Sequence, residues 1–214
     1  NTTGDQNTAC GNNTLGANTT GQYNTALGTQ ALINNTTANN NTALGAFCLL
    51  TNTTGTNNGA VGYSALYSNT TGSANNAFGY FALYTNTTAG NNSAFGHAAL
   101  RLNTTGENNS AFGIEALRNN TTGSRNTAVG AGALDALAGS ANNNVSIGFD
   151  SNSARTAGND NVAVGAYCMN ATATGSNNTA VGKSAMHDAT SAYDNIAVGL
   201  DALKSTTTGL PYKS

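Results

Sequence analysis

Charged residues are scarce in this sequence. Its 214 residues include only seven Lys and Arg against nine Asp and Glu, for a formal net charge of −2. Seven cations cannot neutralise a run of phosphates and attract anionic lipid only weakly, so we expect no nucleic-acid partner and no electrostatic membrane binding. No stretch approaches about 18 apolar residues, which argues against direct membrane insertion. The single proline, Pro211, excludes a proline-rich linker.

A strict repeat dominates the rest of the sequence. Glycine recurs every 17 residues from Gly11 to Gly130 and again from Gly148 to Gly199, with one extra residue between the two runs. The consensus is N-T-A-V-G-x-x-A-L-x-x-N-T-T-G-x-N, which we number from position 1 to position 17. Position 1 is Asn and position 5 is Gly in all twelve copies. This regularity overrules the disordered, low-complexity interpretation that the abundance of Asn, Ala, Thr and Gly would favour.

The length of the repeat predicts a β-solenoid. Seventeen residues are too few for a two-helix repeat, which needs roughly 33 to 47, and Gly, Asn and Thr disfavour helix. We expect an all-β fold, a β-solenoid (β-roll) of about twelve 17-residue rungs, each with one strand at N-T-A-V-G and another around A-L-x-x. At about 4.8 Å per rung the rod is about 58 Å long. Residues 1–6 form a partial repeat, residues 7–209 the solenoid domain and residues 210–214 a C-terminal tail.

The alternation of side chains along a strand predicts which face lies inside. Positions 2 and 4 share a face, and position 4 is apolar in every copy, so we expect these two positions to point inward, with Phe78, Phe95 and Phe112 stacked in the interior. Position 3 then points outward, although it is always Ala or Ser. A column of such small side chains predicts close approach by another surface, and one narrow coil buries too little apolar area to offset its backbone entropy. We therefore expect a parallel homotrimer, since threefold symmetry closes such a rod.

The residues predicted to pack between chains are the position 3 alanines and two cysteines at position 8. Cys48 and Cys168 lie seven rungs apart, about 34 Å, too far for an intrachain disulfide. They are either small apolar packing residues, like Cys10, or they meet their symmetry mates and cross-link the oligomer. The full set is Ala26, Ala43, Ala60, Ala77, Ala94, Ala111, Cys48 and Cys168.

No constellation in the sequence points to catalysis. His97 and His187 lie five rungs apart, about 24 Å, and neither shares a rung with a cysteine. The acidic residues are scattered over the repeat, and neither zinc spacing nor the G-G-x-G-x-D pattern of a calcium solenoid occurs. We expect no enzymatic activity, no metal and no cofactor.

The N-T-T motif at position 12 has two interpretations. The asparagines stack into a ladder of amide hydrogen bonds, or they are N-glycosylation acceptors, although acceptors in every rung could not all carry bulky glycans. Position 1 predicts a second internal Asn ladder. The asparagines of the N-T-T motif are Asn18, Asn35, Asn52, Asn69, Asn86, Asn103 and Asn120.

Aromatic and basic residues form further columns at positions 6 and 10. They are either side-chain ladders that stabilise neighbouring rungs or a surface strip that binds glycans or a neighbouring fibre. The predicted strip comprises Tyr63, Tyr67, Tyr80, Tyr84, Arg101 and Arg118.

The strand motif resembles a known family. Residues 161–165 (N-V-A-V-G) and 195–199 (N-I-A-V-G) resemble the head repeats of trimeric autotransporter adhesins, which have an N-x-V-A-x-G core and fold as trimeric left-handed β-rolls. The longer unit, such as residues 75–91, resembles repeats of bacterial and phage tail-fibre-like surface proteins. The resemblance covers residues 1–209, although the period of 17 is longer than in adhesin heads. It implies a homotrimeric fibre that is extracellular or displayed on a cell or virion surface, and often adhesive.

Three function classes remain open at this point. The first is a structural extracellular fibre, adhesive through host or cell-surface glycans, with no catalysis. The second is a filament subunit that stacks end to end. The third is an ice- or glycan-binding β-solenoid, suggested by the regular threonines at positions 13 and 14.

Overall fold

A single parallel sheet runs the length of the molecule. The computed structural model describes residues 2–154, 157–171 and 174–205, so residues 206–209 and the predicted tail at 210–214 lie outside the described residues. Twelve three-residue strands pair in sequential order, each parallel to the next. The chain is therefore a β-solenoid of about eleven turns with 17-residue spacing, and no helix occurs among the described residues. This confirms the predicted fold class for a single chain.

Each repeat contributes one strand that starts at position 2 and ends at position 4. Pairing is in register, so that Ala26 faces Ala43 and Ala43 faces Ala60, and side chains of one type stack along the rod. The strands are β1 (Thr8–Cys10), β2 (Thr25–Leu27), β3 (Thr42–Leu44), β4 (Gly59–Val61), β5 (Asn76–Phe78), β6 (Ser93–Phe95), β7 (Ser110–Phe112), β8 (Thr127–Val129), β9 (Val145–Ile147), β10 (Val162–Val164), β11 (Thr179–Val181) and β12 (Ile196–Val198).

Tight turns replace the second strand that the sequence predicted in each rung. In the second rung Ala31 N donates to Gly28 O at 3.4 Å and Ile33 N donates to Gln30 O at 3.3 Å. Gln30 and Leu32, the third residues of successive turns, have φ of 56° and 51°, as a type II turn requires. Leu32 N donates instead to the next rung at 3.1 Å. Backbone amides are thus satisfied alternately within and between rungs, and a second strand is not needed.

The glycine at position 5 is required by two independent constraints. Gly45 has φ of 135°, a conformation that side chains rarely adopt, and a Cβ there would lie 2.5 Å from Gly62 O of the next rung. Moving a side chain cannot relieve either constraint, because the positive φ is a property of the backbone and the close contact is with a backbone oxygen. The invariance of this glycine over twelve copies follows from the close stacking of the rungs.

The core is narrow and consists of positions 3, 8 and 9. In the fourth rung Ala60, Ala65 and Leu66 are all fully buried. One apolar cluster extends from Leu15 to Ala141 and a second from Ala163 to Ala197. Between the two lies the ninth rung, where the three core positions are polar: Ser146, Ser151 and Asn152.

The predicted orientation of the strands is wrong. Position 3 faces the interior, and positions 2 and 4 face outward: in β5, Ala77 is buried while Asn76 and Phe78 are exposed. The turn that carries positions 8 and 9 closes over position 3 and leaves room there for a methyl group but not for a phenyl ring.

The residues predicted to pack between chains lie inside one chain instead. All eight are 0% exposed in the single chain, so they cannot contact a partner: Ala26, Ala43, Ala60, Ala77, Ala94, Ala111, Cys48 and Cys168. The position 3 column is small because the coil interior is tight.

Candidate binding surfaces

The outer side of the sheet carries an uninterrupted row of apolar side chains, which we call the apolar column. It consists of the position 4 side chains, all exposed or half-buried: Cys10, Leu27, Leu44, Val61, Phe78, Phe95, Phe112, Val129, Ile147, Val164, Val181 and Val198. The position 2 side chains beside it are mostly Thr, Ser and Val. A flat strip of this composition is a candidate contact surface, since monomeric proteins rarely expose long apolar patches.

Three phenyl rings form the middle of the apolar column. The rings of Phe78 and Phe95 stack at 4.8 Å with 5° between their planes, and those of Phe95 and Phe112 at 5.0 Å with 6°. The predicted Phe stack therefore exists, but on the outside, with Phe78 38% and Phe112 41% exposed.

The position 12 asparagines form a buried ladder of side-chain amides. Each Nδ2 donates to the Oδ1 of the preceding rung, at 2.9 Å from Asn35 to Asn18 and 3.1 Å from Asn52 to Asn35. The same Nδ2 of Asn52 also donates to Gly55 O within its own turn at 2.9 Å. The ladder continues through Asn69, Asn86, Asn103 and Asn120.

These contacts decide between the two interpretations of N-T-T. All seven asparagines are at most 2% exposed, and a glycan attached to Nδ2 would have to displace the ladder. The position 1 asparagines form the second ladder that the sequence predicted: Asn41 N donates to Asn24 Oδ1, and Asn58 N to Asn41 Oδ1, both at 3.0 Å. Both sets of asparagines hold the coil together and neither faces a ligand.

The threonine columns do not form one uniform hydroxyl array. At position 13 the hydroxyl donates to the backbone of the next rung, as from Thr53 to Thr70 O at 3.0 Å. At position 14 the side chains are exposed from Thr20 to Thr122. Only one of the two columns therefore presents its hydroxyls to solvent.

An aromatic cluster lies on the surface past the glycine corner, in rungs three to six. Tyr63 stacks on Tyr80 at 5.4 Å, Tyr80 on His97 at 5.3 Å, and Tyr67 on Tyr84 at 5.1 Å. The predicted tyrosine columns thus exist as ladders.

Two phenylalanines join these tyrosines into one group. The ring of Phe47 contacts Tyr63 at 5.5 Å and 88°, and the ring of Phe81 contacts Tyr63 at 5.8 Å and 64°. The sequence analysis missed both phenylalanines, because the other rungs carry unrelated residues at position 7. The recurrence of Phe at this position two rungs apart was the signal that could have revealed them.

A cavity of about 300 Å³ opens within this cluster. Its walls are Phe47, Tyr63, Tyr67, Phe81 and Tyr84, and Ser64 lines it as well. Ser64 occupies position 7 between Phe47 below and Phe81 above, so the cavity is the space that a third phenyl ring would fill. We call this cavity the aromatic groove.

The two arginines of the predicted strip behave differently. The guanidinium carbon of Arg101 lies 5.3 Å from the centre of the Phe81 ring, so Arg101 belongs to the edge of the cluster. Arg118 instead forms an ion pair with Glu115 at 2.9 Å and approaches Asp135 at 3.8 Å. Burial raises the pKa of the Asp135 carboxyl, while the nearby Arg118 opposes the shift. Arg118 is thus occupied by carboxylates rather than by the aromatic cluster.

The structure decides between the two interpretations of the cysteines: Cys48 and Cys168 are small packing residues of the core, as one interpretation predicted, whereas Cys10 is not. Cys48 and Cys168 are buried, so the predicted cross-link through either of them is wrong, whereas Cys10 is exposed at the start of the apolar column. The Cys48 thiol donates to Gly62 O, and burial raises the pKa of both buried thiols to about 11. Only Cys10 is placed to meet another chain.

The described residues contain no group of three His, Cys, Asp or Glu side chains that could hold a metal ion. His97 stacks on Tyr80, and His187 Nδ1 lies 2.5 Å from Asp188 Oδ1. Within the same part of the chain, no helix has the length and hydrophobicity to cross a bilayer.

Comparison with known proteins found no relatives. No family model matches the chain, and neither a curated protein nor a solved structure matches it.

Proposed function

We propose that this chain is a structural segment of an extracellular fibre, in which three parallel copies pack through their apolar columns. The observation that carries the proposal is the apolar column itself, which follows the outside of all twelve strands. Solvent exposure of so many aligned apolar side chains is unfavourable, by about 25 cal/mol for each Å². The resemblance to adhesin heads and tail fibres supports the choice of three copies and the extracellular setting.

The periodicity of the column favours a second copy as its partner. Its side chains recur once per rung, about every 4.8 Å, over the whole rod. A partner that matches this spacing along its full length needs the same rung spacing, which another copy of this chain supplies. The stacked rings of Phe78, Phe95 and Phe112 would then lie beside identical rings.

The dimensions of the sheet face fit a stable contact. Twelve rungs at about 4.8 Å and a three-residue strand of about 10 Å give a strip on the order of 600 Å². Side-chain relief raises the accessible area towards the roughly 800 Å² that each partner buries in a standard interface. The strip is also free of charge, since positions 2 and 4 of the twelve strands hold no Asp, Glu, Lys or Arg.

Solution mass tests the number of copies. Light scattering should give about three times the chain mass of 21.4 kDa. The Phe95→Asp variant should give one chain mass with an unchanged circular dichroism spectrum, because Phe95 is outside the coil and its charge would be buried only in the assembly. Thr88→Asp, on an exposed turn, is the matched control and should remain trimeric. A monomeric wild type would overturn the proposal, and a dimer would overturn the threefold arrangement.

Cys10 tests the direction of the copies. In parallel copies the Cys10 side chains lie together at the first rung, whereas in antiparallel copies each faces the last rungs of its partner, about 50 Å away from its mate. Mild oxidation should therefore give a two-chain band on non-reducing denaturing gels, and Cys10→Ser should abolish it. A protein that has trimeric mass but never cross-links contradicts the parallel arrangement. Electron microscopy of the same sample should show discrete rods, whereas subunits that stack end to end would give long polymers.

A further inference from the structure

We propose that the aromatic groove is a binding site for an uncharged carbohydrate, recognised through its pyranose rings. This function is separate from assembly of the fibre. Four features of the groove carry the inference: its origin, its chemistry, its charge and its position.

The groove exists because one ring is missing from a column of rings. Phe47 and Phe81 occupy position 7 in the third and fifth rungs, with φ of 61° and 56°, and Ser64 takes the same conformation between them with φ of 54°. A phenylalanine would therefore be tolerated at residue 64, and serine leaves a ring-sized space. Its volume of about 300 Å³ is at the lower end of small-ligand sites.

The lining combines ring surfaces with hydroxyl groups. The ring planes of Phe47 and Phe81 are inclined at 88° and 64° to the ring plane of Tyr63. The rings that line the groove therefore do not all present their edges to a ligand. The C–H faces of a pyranose pack against aromatic rings, and its hydroxyls bond to groups such as the phenols of Tyr63, Tyr67 and Tyr84.

Ser64 adds a hydroxyl to the lining of the groove. Its side chain borders the cavity beside the tyrosines. A ligand hydroxyl in the groove can therefore exchange hydrogen bonds with it, because a serine hydroxyl both donates and accepts.

The charge of the region selects an uncharged ligand. No Asp, Glu, Lys or Arg occurs between residues 6 and 100, so every residue that lines the groove lies in a neutral stretch of the rod. Arg101, at the edge, is directed over the Phe81 ring rather than into the cavity wall. An acidic polysaccharide or a nucleic acid would find no compensating charge here.

The groove is also distinct from the apolar column. Its side chains come from positions 6, 7 and 10, beyond the glycine that ends each strand, and no ring contact joins them to Phe78 or Phe95 within the described residues. Binding should therefore survive loss of self-association.

Titration with neutral oligosaccharides tests the proposal. The protein has no tryptophan, so its fluorescence reports on its eight tyrosines. We expect at least one of cellohexaose, chitohexaose and maltohexaose to change this emission saturably, with an affinity that is independent of NaCl concentration. Polygalacturonate should bind more weakly. If none of the three neutral probes binds, or if the acidic polymer binds more tightly, the proposal is overturned.

The Ser64→Phe variant fills the groove with the ring that its neighbours already carry. It should weaken binding by at least about tenfold, because the ring occupies the ligand's space. Ser184→Phe is the matched control, since Ser184 holds position 7 in the eleventh rung with φ of 55° and lies far from the groove. Equal affinity of Ser64→Phe and wild type, or equal loss in both variants, overturns the proposal.

Solution mass separates this proposal from that of the fibre. Ser64→Phe should keep the oligomeric mass of the wild type, and Phe95→Asp should keep the affinity for sugar. If Ser64→Phe changes the oligomeric mass, the groove is a contact between copies and not a sugar site.

Discussion

The side-chain amide of Asn69 donates a 2.8 Å hydrogen bond to Oδ1 of Asn52, its counterpart in the preceding rung. The same Nδ2 donates to Gly72 O in its own turn at 2.9 Å. Both asparagines are fully buried, so each amide satisfies two acceptors that water cannot reach. The ladder is therefore a continuous polar spine in which every member depends on its neighbours.

Asn69→Ala should destabilise the fold strongly. It leaves Asn52 Oδ1 buried without its donor and removes the Oδ1 that accepts from Asn86 Nδ2, which lowers the free energy of unfolding by about 3 kcal/mol. Gly72 O keeps a second donor, Asn58 Nδ2 at 2.9 Å. Urea denaturation followed by circular dichroism measures the loss. The control is Asn91→Ala: Asn91 is exposed at position 17 with φ of 60°, and Ala74 already occupies that position with φ of 58°. If both variants lose the same stability, the ladder is not the source.

The buried ladder also predicts where glycans are absent. After secretion from a eukaryotic host, the folded protein should carry no glycan on Asn52 or Asn69, because a modified amide could not enter the ladder. Exposed asparagines in N-x-S or N-x-T sequences exist elsewhere, and any glycan should lie on one of them: Asn12, Asn34, Asn40, Asn91, Asn108 and Asn177. Peptide mapping by mass spectrometry checks both statements, and a glycan on Asn52 in folded protein would contradict the first.

The period and class of the fold could be predicted, but not the side of the strand that faces inward. Gly45 and its counterparts recur without exception because the next rung leaves no room for a Cβ, and this constraint is visible as a 17-residue spacing. Alternation pairs positions 2 and 4 but does not say whether they face in or out, and both sides of the strand are apolar. Three successive phenylalanines at position 4, opposite an almost invariant alanine, were the clue: the tighter side is the inner one.

The aromatic groove could be predicted only in part. Tyr63 and Tyr80 recur one period apart and were recognised, whereas Phe47 and Phe81 are two periods apart and are separated by the serine that creates the space. The turn conformation at position 7 could not be predicted from the sequence either, because phenylalanine is not a residue type that indicates a positive φ.

Asn152→Leu should stabilise the rod. Asn152 is buried at position 9, and neither its Oδ1 nor its Nδ2 has a partner among the described residues. Leucine is the residue of most other rungs and adopts the same φ, 52° in Leu134 against 54° here. Removing two unsatisfied groups and joining the two apolar clusters should raise the free energy of unfolding by about 2 kcal/mol. The matched reverse change, Leu134→Asn, should lower it by a larger amount, and thermal melting measures both. A lower melting temperature for Asn152→Leu contradicts this account of the ninth rung.

Thiol reactivity should separate the three cysteines. Because Cys48 and Cys168 are buried, no more than one thiol per chain, that of Cys10, should react with iodoacetamide at pH 8 in the native protein. All three should react in urea. The Phe95→Asp variant provides a single-chain background for the count, and rapid native labelling of Cys48 would contradict the structure.

The buried thiols also make stability depend on alkaline pH. Burial raises the pKa of Cys48 and Cys168 from 9.0 to about 11, so between these values the folded chain retains protons that the unfolded chain releases. Their contribution is fully present below pH 9 and is lost as the pH rises towards 11. Melting curves from pH 8 to pH 11 should therefore fall more steeply for the wild type than for the Cys48→Ala, Cys168→Ala double variant. Alanine is the usual residue at position 8, so this variant keeps the core while removing both thiols. Identical pH profiles for the two proteins would contradict this prediction, because they would mean that the thiols ionise as readily in the folded chain as in the unfolded chain.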